Sequence, residues 1–129
     1  LEQAFHECDI ISLNMNLNDS NRGFVNSKLI SNIKENQFVL INTSRGELVD
    51  EESILLGIKN NTILGYLTDV LNEEPMYSDH PFLNHEKILI TPHIGSRTYE
   101  SVERQGNMAI ENLIESLNQS KWLGFYKDY

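Results

Sequence analysis

Four short apolar runs, rich in β-branched residues and almost evenly spaced, constrain this chain more than any other feature. They cover residues 9–15 (DIISLNM), 37–43 (QFVLINT), 62–69 (TILGYLTD) and 87–91 (KILIT), and their starts lie 25 to 28 residues apart. Runs this compact fit strands covered on both faces, as in a parallel sheet. The spacing is that of strand–helix–strand units. Between the first two runs, Asn26 can cap a helix carrying Leu29, Ile30 and Ile33. Between the next two, Asp50 can cap a helix with Glu51 and Glu52 in its first turn, where the helix dipole favours negative charge. That helix carries Ile54, Leu55 and Ile58 and ends at Asn60 or Asn61. Right-handed crossovers then give a parallel α/β sheet with flanking helices.

The third connection breaks the rhythm. Residues 71–86 (LNEEPMYSDHPFLNHE) contain Pro75 and Pro81 and show no helical period. Irregular loops of this length are uncommon inside compact domains and usually serve function. After the fourth run, Thr98 can cap a long helix to about Leu117, with Val102, Ala109, Leu113 and Leu117 on its apolar face and Ile110 and Ile114 beside it. Packing explains that face better than membrane binding. Residues 1–118 therefore read as one piece of a domain including its closing helix. Residues 119–129 read as a tail, whose Trp122, Phe125 and Tyr126 are expected to pack on something.

Composition excludes more than it assigns. The net charge is −9 and the ten Lys and Arg are scattered, so no basic stripe exists to replace counterions on nucleic acid. No apolar run approaches the roughly 18 residues that span a bilayer. The single Cys8 opens an apolar run and reads as a buried, inert thiol. One cysteine cannot form an internal disulfide, which fits a reducing, cytoplasmic compartment. His6 reads as a helix-end surface residue, and His80 and His85 as loop structure; their spacing offers no metal site. A chain that opens on Leu1 without a signal-peptide pattern reads as a fragment.

The unusual polar residues share one place on this strand map. Asn14 and Asn16 end the first strand, Arg45 follows the second, Asp69 closes the third with Glu74 five residues on, and His93 follows the fourth. All fall at the carboxyl ends of parallel strands, the edge where open α/β sheets bind ligands. Their types suit one reaction. A guanidinium grips a carboxylate through two parallel hydrogen bonds, which lysine cannot reproduce. An imidazole oriented by a carboxylate exchanges a proton near neutral pH. Together they would bind a 2-oxo acid and protonate its carbonyl oxygen as hydride reaches carbon. Side chains cannot deliver hydride, so a nicotinamide cofactor is implied.

Residues 41–52 (INTSRGELVDEE), 69–75 (DVLNEEP) and 91–98 (TPHIGSRT) resemble, in order and spacing, three successive signatures of the D-isomer-specific 2-hydroxyacid dehydrogenases. Residues 8–26 resemble the strand and loop that precede them, and the likeness covers residues 1–118. The resemblance implies a Rossmann-like fold, here about four strands from the C-terminal part of a larger doubly wound NAD-binding sheet. It implies that Arg45 binds the substrate carboxylate, that His93 is the acid–base residue and that Glu74 is its partner. It implies cofactor contacts from Thr43, Ser44, Arg45, Asp69 and the turn His93, Ile94, Gly95 and Ser96, with Gly46 and Gly95 where backbone approaches cofactor. Asn16 joins that pocket on weaker grounds, because Asn14-Met15-Asn16 replaces a loop usually of the type His-x-Pro. Glu73 competes with Glu74, and Asp69 could instead merely end a strand by bonding its own backbone.

The expected activity is hydride transfer between NAD, with NADP not excluded, and a 2-hydroxy acid/2-oxo acid pair, in a protein that is a homodimer at full length. No metal, nucleic acid or membrane is expected. A non-catalytic NAD(H)-sensing protein, like the family's corepressors, stays open because such relatives keep the Arg, Glu and His. An inactive truncated remnant stays open as well. No Gly-x-Gly-x-x-Gly occurs in the chain, nor the acidic residue that would follow it to read the ribose.

Overall fold

The computed structural model describes residues 2–33 and 36–118, which fall into two compact units, Leu1–His93 and Ile94–Tyr129. The first unit opens with a single helical turn, α1 (Ala4–Glu7), followed by β1 (Ile10–Leu13), α2 (Ser27–Asn32), β2 (Phe38–Asn42), α3 (Glu51–Lys59), β3 (Ile63–Thr68) and β4 (Ile88–Ile90). The four strands form one parallel sheet in the order β1-β2-β3-β4. The strand–helix rhythm of the sequence is thus present, and the four strands fall within the four apolar runs.

Both expected caps form. The Asn26 side chain accepts the Leu29 amide (3.0 Å), and the Asp50 carboxylate accepts the Ser53 amide (3.2 Å) and the Ser53 hydroxyl. Each satisfies one of the amides that a helix start leaves unpaired, and losing such a cap costs about 1 kcal/mol. The connection from β3 to β4 is irregular, as its prolines require.

One core holds the unit. Ile11, Leu13, Phe38, Leu40, Ile63 and Tyr66 point from the sheet to meet Phe5, Leu29, Ile30, Ile54 and Ile58 from the helices. Phe5 meets Phe38 and Phe24 edge-on, with ring centroids 5.4 and 6.0 Å apart. The opposite sheet face is not covered as expected: Ile10 and Leu89 remain 65% and 59% exposed. The runs are apolar on both faces, yet α1, α2 and α3 all contribute to the same core. The strand reading was correct and the double covering was not. Cys8 also departs from expectation. It is exposed, because it forms the extended end of α1 and stands before β1 rather than inside it.

The second unit contains α4 (Tyr99–Asn118). Thr98 caps it as the sequence indicates, its Oγ1 accepting the Ser101 amide (3.1 Å). Val102, Leu113 and Leu117 are exposed, against the expectation that this face packs. Among its described residues this unit has no other element for the face to pack on. The tail with Trp122, Phe125 and Tyr126 lies outside the described residues. No helix among the described residues is long and apolar enough to cross a membrane.

Candidate active site at the strand ends

The turn after β2 is organised by a residue that sequence reasoning passed over. Asn42 is fully buried at the last position of β2. Its Oδ1 accepts the Ser44 amide (3.1 Å) and its Nδ2 donates to the Arg45 carbonyl (2.9 Å), closing an Asx turn around Thr43 and Ser44. The Ser44 hydroxyl donates to the Leu13 carbonyl (2.8 Å), tying this turn to the end of β1. The available signal was an asparagine closing an apolar run. Asn42 also receives support from below, where its Nδ2 lies 3.4 Å from the Tyr66 hydroxyl. Burial pushes the Tyr66 phenol above its ordinary value, and bonds to Thr68 and Asn42 only partly oppose that.

Arg45 leaves this turn exposed, with Nη1 donating to the Ser44 carbonyl (2.7 Å). Among the described residues no carboxylate pairs with it. The next residue, Gly46, is where backbone meets backbone. A Cβ there would overlap the Leu71 carbonyl group and sit 2.5 Å from the Asn72 amide nitrogen. Only glycine lets the chain after Arg45 lie against the chain before Glu74.

Glu74 and His93 meet as expected: His93 Nδ1 and Glu74 Oε2 are 2.7 Å apart. The other Glu74 oxygen accepts the Leu71 amide (2.9 Å). Desolvation pushes the Glu74 carboxyl up, but the bonds from His93 and the Leu71 amide outweigh it and hold the group below its ordinary value. Glu73, the competitor, makes no such pair. His93 adopts a left-handed backbone (φ 51°), costly for a residue with a side chain and tolerated mainly at functional or turn positions. Arg45, Glu74 and His93 line one cavity of about 220 Å³ together with Gly46, Val70, Leu71 and Asn72.

A second, larger cavity of about 640 Å³ is lined by Asn14, Met15, Asn16, Leu17, Thr43, Ser44 and Arg45. Arg45 borders both. Asn16, Thr43 and Ser44 therefore line one cavity. Asp69 is buried at the end of β3, where its Oδ1 accepts the Thr91 hydroxyl (2.5 Å). That bond ties the ends of β3 and β4 and was not anticipated. Ile94, Gly95 and Ser96 open the second unit; there the Ser96 carbonyl accepts from Gln105 (3.4 Å).

The mixed lining of the larger cavity suits a nicotinamide and its ribose, with amide and hydroxyl groups beside Met15 and Leu17. The fold is that of part of a Rossmann NAD-binding domain. Residues 1–95 match the family model described as the NAD binding domain of D-isomer specific 2-hydroxyacid dehydrogenases. The chain belongs to that family. It is 32% identical over 117 residues to a glyoxylate reductase of Thermofilum pendens, a match covering 91% of this chain and 34% of the relative. It is 30% identical over 122 residues to 4-methyl-2-oxopentanoate reductase A of Aspergillus oryzae, covering 95% and 36%. Among solved structures, a glyoxylate reductase from Paecilomyes thermophila superposes with a TM-score of 0.83 at 28% identity, covering 92% of this chain and 36% of that one. An acyclic imino acid reductase in complex with NADPH and D-Arg gives 0.80 at 32% identity, covering 92% and 37%. The chain thus spans about a third of the length of the curated relatives it matches.

Proposed function

We propose that this chain carries the acid–base and carboxylate-binding residues of an NAD(P)-dependent reductase interconverting a 2-oxo acid and its 2-hydroxy acid. The 2.7 Å bond between His93 and Glu74, beside Arg45 in one cavity, carries this reading. Glu74, held ionised by its partners, accepts from His93 Nδ1. That fixes the ring tautomer and orientation and leaves Nε2 to exchange a proton. Arg45 offers the substrate carboxylate a planar pair of donors. In reduction, His93 Nε2 gives its proton to the carbonyl oxygen while hydride adds to the carbonyl carbon, forming the 2-hydroxy acid. A nicotinamide, when bound, supplies or takes up the hydride. Asn16, Thr43 and Ser44 would hold its nicotinamide-ribose end, with Asp69 nearby at the same sheet edge. The imino acid reductase named above binds NADPH, so both NAD and NADP belong in the assay.

The test is kinetic, in the full polypeptide with glyoxylate and larger 2-oxo acids. Arg45→Lys keeps the charge but loses the paired donors, a loss of about 1.5–3 kcal/mol, so kcat/KM should fall roughly 10- to 100-fold. Cofactor affinity should fall much less, because Arg45 only borders the larger cavity and the backbone of its turn is unaltered. Parental kcat/KM in Arg45→Lys would remove Arg45 from the reaction.

A further inference from the structure

We propose that Glu51, the first residue of α3, is a positioning residue for Glu74, acting through the Asn72 amide and itself fixed by His80. This rests on the reading of Glu74 given above. An acid in a first helical turn is commonplace, and the dipole alone explains it. The dipole does not explain where the Glu51 oxygens go. Oε1 accepts the Asn72 amide (3.1 Å), and Oε2 lies 3.3 Å from His80 Nε2. Both partners lie in the irregular β3–β4 connection, 21 and 29 residues away, and neither belongs to α3.

The His80 ring defines this contact. Its side chain is 1% exposed, and it packs on Phe82 and Tyr77 with centroids 5.0 and 4.8 Å apart. Its Nδ1 accepts the Phe82 amide (3.1 Å), so the ring proton sits on Nε2, the nitrogen 3.3 Å from Glu51 Oε2. The Glu51–His80 contact is therefore a close polar contact with the N–H side of a tautomer that the loop itself selects. It anchors the far part of the connection to the start of α3.

Glu51 then acts on the near part. The consecutive amides of Leu71 and Asn72 donate to two different carboxylates, Leu71 to Glu74 and Asn72 to Glu51. The peptide between them is pressed against Gly46 on one side and held by Glu51 at its N–H. Without Glu51 the Asn72 amide loses its acceptor, and that peptide can tilt away from Gly46. The Leu71 amide then leaves Glu74, and the carboxylate that orients His93 loses one of its two fixed partners.

The sign of one titration separates positioning from simple charge. Removing the Glu51 charge acts through space to lower the Glu74 pKa, since a like charge disfavours ionisation. Losing the Leu71 hydrogen bond raises it. Carboxyl-carbon NMR titration of this chain should show Glu74 titrating higher in Glu51→Ala than in the parent, and unchanged in Glu52→Ala at the same helix end. An unchanged or lower Glu74 value in Glu51→Ala overturns the proposal. If the alanine variant fails to fold, Glu51→Asp serves. It keeps the charge but withdraws the oxygens from the Asn72 amide, so Glu74 should again titrate higher, and an unchanged or lower value overturns the proposal.

Turnover gives a second, independent readout in the full polypeptide. Glu51→Ala should lower kcat roughly 10- to 100-fold, the scale of a misplaced catalytic group, with cofactor affinity unchanged. In a Glu74→Gln background it should lower kcat no further. An equal loss in both backgrounds refutes action through Glu74. Parental kcat in Glu74→Gln alone would instead refute the role of Glu74, and the titration would still decide whether Glu51 positions it.

Discussion

The contact at Gly46 turns a backbone detail into a measurable coupling between stability and turnover. Gly46→Ala adds one carbon where the Leu71 carbonyl already stands, and only 2.5 Å from the Asn72 nitrogen against 3.4 Å for ordinary contact. The chain at Asn72 must retreat about 0.9 Å, and at Leu71 further. Alanine in place of glycine restricts the unfolded chain, which favours folding by about 0.4–1 kcal/mol. Overpacking against backbone costs about 1–3 kcal/mol, so the steric cost wins. For a unit of this size each kcal/mol moves Tm by about 4–8 °C, and a fall of roughly 5–15 °C is expected by circular dichroism. The displaced peptide is the one that places the Glu74 oxygen. A shift near 1 Å at a catalytic group costs about 100-fold in rate. The kcat per folded molecule, measured well below the new Tm, should therefore fall by about that factor. Parental Tm together with parental kcat would refute the close approach. A lowered Tm with parental kcat would refute the link from Gly46 to Glu74.

Three further outcomes follow from the same contacts. Because the folded-state pKa of Glu74 is depressed, its pairing stabilises the fold above the ordinary value of 4.5 and the gain is lost as pH falls through the folded value. Urea midpoints of parent and Glu74→Gln should differ at neutral pH and converge in acid; a gap that persists in acid would show that the charge is not the source. Tyr66 is shifted the other way, so its burial favours the fold fully below pH 10.0 and the benefit fades as pH rises through the raised folded value. Tyr66→Phe should blunt alkaline unfolding, and an unaltered alkaline midpoint would oppose that. At His93, both His93→Asn and His93→Ala should lose about 100- to 10,000-fold in turnover. Asparagine tolerates the left-handed backbone and alanine does not. Asn should therefore be the more stable variant by about 1 kcal/mol in urea unfolding, and equal midpoints would count against strain at that position.

The sheet was legible in the sequence because its signal is local. Each strand is a dense apolar run, and Asn26, Asp50 and Thr98 announce the helices that follow them. The meeting of Glu74 with His93 was legible for a different reason: parallel topology brings every strand's carboxyl end to one edge. What sequence could not supply is burial that depends on partners. Ile10 lies in an apolar run as Ile11 does, yet one is exposed and the other buried, because the helices of this unit take a single face. Asn42 drew no reading at the end of its apolar run and His80 read as loop structure, yet both are buried. Such pairings span long sequence separations and leave no periodic trace.

The β3–β4 connection has no ladder or helix to hold it, so its geometry depends on side chains and on one missing Cβ. Glu51, His80, Gly46 and Thr91 each fix a different part of it, and none is among the residues proposed to touch substrate. Inside a strand ladder or past the first turn of a helix, the Leu71 amide would already have a backbone acceptor and could not donate to Glu74. The irregularity of the loop is therefore what frees the Leu71 amide to hold a carboxylate, and the supports around it are what that freedom requires. On this reasoning, substitutions at Glu51, His80 or Gly46 should alter kcat through Glu74 and leave the carboxylate grip of Arg45 intact. A rise in substrate KM without loss of kcat in any of them would break the argument.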